Sequence, residues 1–388
     1  MSLADRLKGI KVPTTIKSDS GASPVWDGPE ANTKNGGITF SLISRFLTCR
    51  ERFRLYASEG LRPAKQFNHR VEYGNMWHAC AEAQLAKKPW KVALHDYAQM
   101  LLRSHKTEAE AIDKWQNVCA VQFPLYDKYW SEHPDVASRI PLFQERVFNV
   151  PYRLPSGRLV YLRGKKDGID LVDSGRASKM IYLYEHKTKS DINEQKVHRQ
   201  LKFDMQTMMY LVALRKWKGQ LAAAPKGSLD KASKVIVDHK IGGVIYNVVR
   251  RPLSGGKGTI VQHKPSKSNP MGETKSSYYK RLSGIIEESS DYFFMRWKVD
   301  VTEFDIDRFE NRTLIPLLET ICVWYDTAVK KLDIHIPPYQ LVRMMNWQHP
   351  FGVVNYIDES GYSDMDEFLD NGSEVGLERE SDLFPELE

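Results

Sequence analysis

The chain has 388 residues, 41% of them hydrophobic, which is enough to bury a large core in one big domain or two smaller ones. No apolar run approaches the length of a membrane span and the first residues lack a signal-peptide pattern, so we expect a cytoplasmic protein without membrane contact. None of the four cysteines stands in a C-x-x-C pair, which argues against zinc or iron–sulfur ligation and favours reduced thiols.

The net charge of +7 hides an uneven distribution of charged residues. Residues 358–388 contain 12 acidic residues and one basic residue, which leaves 55 basic and 37 acidic residues in the rest of the chain. A large cationic body is typical of proteins that bind a polyanion, most simply nucleic acid, although a generic basic surface would have the same composition.

The first part of the chain is predicted to be mainly helical. Residues 1–37 are rich in Gly, Ser, Pro and Lys without a clear period, which predicts a loosely held arm. Apolar residues then recur at helical spacing over 40–53. Further helices are predicted from about 71 to 85 and throughout 90–133.

Beyond about residue 140 the apolar pattern indicates strands. Three strands are predicted at 146–150, 158–163 and 181–185, with turns between them. A helix over 193–217 and an apolar strand over 241–249 follow. This helix would cross between strands as a parallel connection requires, so the last strand is expected inside the sheet.

Three segments follow the last predicted strand. Residues 250–281 contain eight Lys or Arg and one acid among many Gly, Ser and Pro, which predicts a long basic loop. Residues 282–345 return to helical segments that are expected to pack on the core. The acidic segment 358–388 cannot bury enough apolar surface to fold alone, so we predict a disordered tail: a solvating segment, a docking segment or a DNA mimic.

Asp167, Glu185 and Lys187 form the most informative pattern in the chain. The aspartate precedes the other two by 18 and 20 residues, which suits a hairpin, and alternation places Glu185 and Lys187 on one face. Two carboxylates and an ammonium at one point could hold Mg²⁺ and a water, the minimum for cutting a phosphodiester bond. Asp170 is the alternative first carboxylate, but alternation sends it to the opposite face from Asp167.

Five short motifs also stand in a characteristic order along the chain. They are the helical stretch 41–53, Gly74-x-x-x-His78, Gly164-Lys165-Lys166-Asp167, Glu185-x-Lys187 and Gln206-x-x-x-Tyr210. Together they resemble the RecB-like exonuclease branch of the PD-(D/E)XK nuclease superfamily, in its phage-encoded form, over roughly residues 40–250.

This resemblance implies an α/β (α+β) protein with a restriction-endonuclease-like core, in which helices flank a central mixed sheet. The nuclease domain would span 38–357, with a helical insertion at about 86–140, the basic loop at 250–281 and a helical C-terminal part. Iron–sulfur members of this branch carry a late cysteine cluster. Only Cys322 lies late in this chain, so we predict no cluster.

The resemblance also implies a Mg²⁺ or Mn²⁺ cofactor and assigns its ligands. Asp167 and Glu185 would bind the metal, and the backbone carbonyl of His186 would complete the coordination shell. His78 would add a nitrogen ligand, which suits Mn²⁺ somewhat better than Mg²⁺.

Three further residues are expected to act in catalysis. Lys187 would orient the attacking water or stabilise charge at the phosphate. Gln206 and Tyr210 are four residues apart on one helix face, and the resemblance places them beside the metal, in contact with DNA or a water. Basic residues of the first helix and the basic loop are expected to hold the DNA backbone: Arg45, Arg50, Arg52, Arg250, Arg251, Lys257, Lys264 and Lys267.

The predicted activity is metal-dependent cleavage of DNA, most simply by an exonuclease of recombination, repair or phage DNA processing. An endonuclease or flap nuclease with the same site, and a DNA-binding protein with an inactive site, are the alternatives. The acidic tail is a candidate contact for a recombination or single-strand-binding protein. If a phage encodes the chain, its location would be the host cytoplasm.

Overall fold

A mixed β-sheet of six strands forms the centre of the structure, which is a computed structural model. The structure describes residues 24–48, 50–63, 67–173, 178–189, 204–225, 227–252, 260–267, 270–329 and 377–387. Its strands are β1 (Ile38–Thr39), β2 (Leu61–Pro63), β3 (Arg139–Arg153), β4 (Leu159–Asp173), β5 (Lys179–Lys189), β6 (Ile241–Arg250), β7 (Phe294–Asp300) and β8 (Leu377–Arg379). Its α-helices are α1 (Phe40–Thr48), α2 (Arg50–Ala57), α3 (His69–Leu85), α4 (Trp90–Ser104), α5 (Ala109–Glu132), α6 (Met205–Ala223), α7 (Lys231–Asp238), α8 (Lys275–Glu288), α9 (Ser290–Phe293), α10 (Glu303–Phe309) and α11 (Ile315–Trp324). None of these helices is long and apolar enough to cross a membrane.

The strand order of the sheet is β1-β4-β5-β6-β7, and β3 also pairs with β4. β4 and β5 are antiparallel, β5 and β6 are parallel, and β6 and β7 are antiparallel. The chain between β5 and β6 passes through α6 and α7, which gives the length that a parallel connection needs. The predicted parallel strand is therefore confirmed, as is the predicted fold class of a mixed sheet flanked by helices.

The described chain divides into two compact units. The first unit contains Met1–Lys65, Asn149–Arg163 and Asn311–Glu388, and the second contains Gln66–Phe148 and Gly164–Glu310. The first unit is thus assembled from segments that are far apart in the sequence.

In the second unit, α3, α4 and α5 share a core of buried aromatic and aliphatic side chains. α3 begins after Asn68, whose side chain accepts a hydrogen bond from a backbone N–H of the first turn. The ring of Trp77 lies 5.1 Å from the rings of Phe123 and Tyr126 on α5. Such edge-on aromatic packing fixes the helix that carries His78.

Residues 24–37 pack firmly within the first unit. Trp26 is buried, and its ring lies 5.4 Å from that of Phe53 and 5.0 Å from that of Tyr325. The predicted loose arm is wrong for residues 24–37, because one large aromatic side chain anchors a segment of otherwise polar composition. The remainder of that arm, residues 1–23, lies outside the described residues.

The end of the acidic tail also belongs to the first unit. β8 pairs antiparallel with β2, Leu383 and Phe384 are buried, and the Asn35 amide donates to a backbone carbonyl of the segment. The predicted disorder is wrong for residues 377–387, because burial of Leu383 and Phe384 acts together with the β2–β8 pairing and the Asn35 hydrogen bond against the entropy cost of ordering. Docking of the tail on another protein stays a prediction, and residues 358–376 lie outside the described chain.

Two predictions for the region after β6 need correction. The basic loop ends earlier than predicted, because α8 begins at Lys275 after Thr274, whose hydroxyl accepts a hydrogen bond from the first turn. β7 occupies a stretch that was predicted to be helical. Its aromatic residues follow directly on a helix and continue the helical apolar spacing, so the pattern hides the short strand.

Candidate metal centre

His78, Glu145 and Asp167 come together in the second unit. They belong to α3, β3 and β4, and one potential ligand atom of each lies within 4.8 Å of those of the other two. All three side chains are partly buried. Two carboxylates and one imidazole are a donor set that suits a hard divalent cation with some tolerance for nitrogen, such as Mg²⁺ or Mn²⁺.

The pairing of β4 with β5 positions Asp167. Gly168 lies opposite Tyr184, so Asp167 comes level with Glu185 at the end of the hairpin pairing. One carboxylate oxygen of Asp167 accepts a hydrogen bond from the backbone N–H of His186 (2.7 Å), which fixes the side chain and leaves the other oxygen for a ligand.

Asp170, the alternative first carboxylate, has a different role. It is fully buried and accepts a hydrogen bond from Arg139 Nε at 2.9 Å. A buried carboxylate that is paired with a guanidinium is typical of a structural ion pair. The structure therefore places Asp167 beside His78 and Glu145. It places Asp170 in an ion pair with Arg139, so the two aspartates point to different sides of β4, as the alternation predicts.

Glu145 was missed by the sequence analysis. The predicted strand began one residue later, whereas β3 starts at Arg139 and Glu145 lies inside it with a left-handed φ of 44°. Only 12% of its side chain is exposed, and its carboxylate accepts a hydrogen bond from Lys165 Nζ at 2.8 Å. Burial and the neighbouring Asp167 raise its pKa above the ordinary glutamate value. No motif marks this residue, and periodicity cannot predict a left-handed backbone at a non-glycine residue.

Replacing Glu145 by glutamine is expected to weaken Mn²⁺ binding at least about tenfold, because the amide keeps the shape but loses the charge. Isothermal titration of the protein with Mn²⁺ measures this affinity. Glu132→Gln, which changes an exposed glutamate at the end of α5, is the matched control. An affinity that Glu145→Gln leaves unchanged would exclude this carboxylate as a ligand.

Glu185 lies beside this group but is not one of its three members. Only 3% of the residue is exposed, and its Oε2 is 3.5 Å from Lys187 Nζ. Its Oε1 has no hydrogen-bond partner among the described residues. Burial and the charge of Asp167 raise the pKa of Glu185 to about 8, against the opposing effect of Lys187. A buried oxygen without a donor is costly for the protein alone and fits the presence of a cation.

Lys187 is held as a cation by its surroundings. Burial lowers its pKa, but the charges of Glu185, Asp167 and Asp204 outweigh burial and raise the pKa above the ordinary lysine value. A lysine that keeps its proton is compatible with both predicted roles, which are orienting the attacking water and stabilising charge at the phosphate.

The imidazole of His186 belongs to the core. Its Nδ1 lies 2.9 Å from the Asn247 amide nitrogen, and burial lowers its pKa to about 3, so the ring is neutral. The ring faces that of His78 edge-on at 5.8 Å. The backbone N–H of His186 positions Asp167 through its hydrogen bond to the carboxylate. The role of the His186 carbonyl as a metal ligand stays a prediction.

Gln206 and Tyr210 share one face of α6, as predicted. The Gln206 amide nitrogen lies 3.3 Å from the Tyr210 hydroxyl, and Asp204 caps the helix by accepting the backbone N–H of Gln206 at 2.8 Å. Tyr210 is buried, and a Cβ added at Gly164 would come within 3.0 Å of its ring. The glycine that opens the Asp167 motif therefore allows α6 to pack close to β4.

The predicted DNA-binding residues fall into separate groups. Arg45 and Arg50 lie in the first unit, where their guanidinium groups are 4.0 Å from the Tyr56 ring centre and 5.2 Å from the Phe46 ring centre. The side chain of Arg52 and all of Lys257 lie outside the described residues.

The remaining four predicted DNA-binding residues belong to the second unit. Arg250 is buried, donates to the Tyr292 carbonyl and stacks over the Tyr292 ring at 3.9 Å, so its predicted role on DNA is replaced by a structural one. Arg251 is also buried, whereas Lys264 and Lys267 are exposed.

Comparison with known proteins agrees with this geometry. A search of curated proteins gives no match. The family model of the PD-(D/E)XK nuclease superfamily matches residues 38–295, about two thirds of the chain, and this range includes every residue of the centre described above. The chain therefore belongs to the PD-(D/E)XK nuclease superfamily, whose members are metal-dependent nucleases.

Proposed function

We propose that this protein is a Mg²⁺- or Mn²⁺-dependent exonuclease that hydrolyses phosphodiester bonds of DNA. The observation that carries the proposal is the convergence of His78, Glu145 and Asp167 next to the buried Glu185 and the cationic Lys187. Three carboxylates gathered at one point, with one buried oxygen of Glu185 left without a donor, are costly unless a cation binds there, which favours a working metal site over a degenerate one.

The chain's own residues supply the parts that hydrolysis needs. His78, Glu145, Asp167 and Glu185 would hold the cation, with the His186 carbonyl as a further oxygen. Such a cation, when bound, polarises the phosphate and makes water a better nucleophile. Lys187 keeps its proton and places positive charge where negative charge grows during attack.

The choice of DNA and of exonuclease action rests on the sequence. The chain outside its acidic tail has an excess of basic residues, which favours a polyanionic substrate. Exposed Lys264 and Lys267 follow β6 in the second unit and can contact phosphates. The five motifs resemble those of RecB-like exonucleases, which supports digestion from an end in recombination, repair or phage DNA processing.

Digestion of matched linear, circular and single-stranded DNA tests the proposal. With Mg²⁺ or Mn²⁺, an end-labelled linear substrate is expected to lose its label progressively, while a closed circle of the same sequence stays intact. Cleavage of the closed circle would favour the endonuclease alternative. A branched substrate that is cut only at the junction would indicate a flap nuclease, and binding without any metal-dependent cleavage would indicate an inactive DNA-binding protein.

A further inference from the structure

A second group of basic side chains lies in the same unit, away from the metal centre. It consists of His69 and Arg70 at the start of α3 and Arg251 just after β6, and we call it the basic cluster. The backbone N–H of Arg251 donates to the Lys189 carbonyl at the end of β5, and its Nη1 donates to the Arg70 carbonyl, both at 2.8 Å. The cluster therefore ties the start of α3 to the ends of β5 and β6.

Arg251 carries a buried charge that the described residues do not neutralise. Only 8% of the residue is exposed, and its Nε has no hydrogen-bond partner in the described part of the chain. Among the described residues, no carboxylate is one of the groups that act on its charge, which are Arg70 and Tyr73. Glu72, the nearest acid along α3, instead accepts hydrogen bonds from Tyr97 and Asn75. A buried guanidinium without a counter-charge is costly, and a bound anion would remove that cost.

The members of the cluster also repel one another. Burial and the charges of Arg70 and Arg251 lower the pKa of His69, and burial and Arg70 lower that of Arg251. His69 cannot easily move away, because its ring stacks on Trp115 with the ring centres 5.4 Å apart. The guanidinium charges of Arg70 and Arg251, held together in this way, are arranged for an anion, and the His69 ring can add an N–H donor.

One stripe of α3 leads from the cluster to the metal centre. Arg70, Gly74 and His78 follow at intervals of four residues and so share a helix face. His78 faces the His186 ring, and a Cβ added at Gly74 would meet Thr188 Oγ1 at 3.2 Å. Because Gly74 lacks a side chain, α3 can lie directly along the end of β5.

The distance between the basic cluster and the metal centre can be expressed as a number of nucleotides. Eight residues of helix separate Arg70 from His78, which is about 12 Å at 1.5 Å per residue. Lys189, whose carbonyl accepts the hydrogen bond from the Arg251 N–H, lies two residues beyond Lys187 on β5, or about 6.6 Å. Successive nucleotides of one DNA strand advance about 3.4 Å along the helix axis, so these distances correspond to two to four nucleotides.

We propose that the basic cluster of His69, Arg70 and Arg251 binds one backbone phosphate of the DNA strand, two to four nucleotides from the phosphate that is cleaved. This inference rests on the proposed nuclease function. In this role the cluster positions the substrate. A contact with a phosphate does not recognise any base, but it determines how far the strand extends past the metal centre.

Replacing one DNA phosphate at a time by an uncharged analogue tests whether the basic cluster binds a particular phosphate. Oligonucleotides with one methylphosphonate at successive positions are bound to the protein in Ca²⁺, so that affinity is measured without relying on cleavage. We expect the wild type to lose about tenfold in affinity when the neutral group falls at one position two to four nucleotides from the cut. Arg70→Gln and Arg251→Gln should bind the unmodified strand more weakly and lose this position-specific effect. The control Arg103→Gln, on the exposed side of α4, should behave as the wild type.

The outcomes separate the inference from the function it rests on. If the wild type neither binds nor cuts DNA with Mg²⁺ or Mn²⁺, the proposed function fails, and the inference fails with it. If the wild type binds and cuts DNA but Arg70→Gln keeps the full position-specific effect, the cluster does not hold that phosphate and the function stands. Arg70 is exposed, so this variant decides the question even if replacing the buried Arg251 unfolds the protein.

Discussion

Replacing Asp167 by asparagine is expected to lower the rate of DNA cleavage by about 10²–10⁴-fold, which corresponds to the several kcal/mol that a metal ion contributes to phosphoryl-transfer catalysis. Asparagine keeps the size of the side chain, and its carbonyl oxygen can still accept the hydrogen bond from the His186 N–H. The variant therefore loses a negative ligand and little else. Initial rates on a linear DNA substrate at saturating Mg²⁺ measure the effect.

Glu82→Gln is the matched control for this experiment. Glu82 is an exposed carboxylate on α3, one turn beyond His78, and it lies outside the group of potential ligands. The control should cut DNA at close to the wild-type rate. If Asp167→Asn retained wild-type activity while remaining folded, the chemistry would not depend on the metal centre described here.

Replacing Lys166 by methionine is expected to stabilise the protein by a few kcal/mol near neutral pH. Lys166 is 1% exposed, and its Nζ lies 4.7 Å from the Phe148 ring centre and 6.0 Å from that of Trp217. Burial and the charge of Arg146 lower the pKa of Lys166 from 10.5 to about 7. Methionine fills a similar volume and has no charge to desolvate.

The pH dependence of this stabilisation has a definite sign. The unfolded chain holds the lysine proton up to its ordinary pKa, whereas the folded chain releases it near pH 7. Folding of the wild type is therefore penalised most at pH 7 and below, and the penalty fades as the pH rises towards 10.5. The gain from Lys166→Met should accordingly be largest at pH 6.5 and small at pH 9.5.

Urea denaturation at these two pH values gives the free energy of unfolding of each protein. Lys88→Met, at an exposed site after α3, should change that free energy little at either pH. A gain from Lys166→Met that is equal at both pH values, or larger at pH 9.5, would contradict a buried lysine of low pKa.

Patterns of period two and short-range spacing predicted the centre of the fold well. The hairpin spacing of Asp167, Glu185 and Lys187 and the crossover before β6 depend on local geometry, which the sequence carries directly. The same alternation distinguishes Asp167 from Asp170, and the two side chains indeed reach different partners.

Features that depend on tertiary packing could not be predicted in this way. Glu145 lies inside β3 with a left-handed backbone conformation, and its side chain comes close to His78 and Asp167. No periodic pattern in the sequence indicates this position. Trp26 and Phe384 order segments whose average composition resembles a disordered chain, because a single well-packed aromatic side chain outweighs many polar neighbours. Arg250, basic and next to a basic loop, turns inward because Tyr292 offers both a ring and a carbonyl.

A crystal of the protein soaked in Mn²⁺ and measured at the manganese absorption edge tests the central claim most directly. We predict an anomalous difference peak within about 2.0–2.6 Å of ligand atoms of His78, Glu145 and Asp167, with Glu185 in or beside its coordination shell. The absence of a peak at these residues, with Mn²⁺ bound elsewhere on the protein and DNA cleavage intact, would contradict the account.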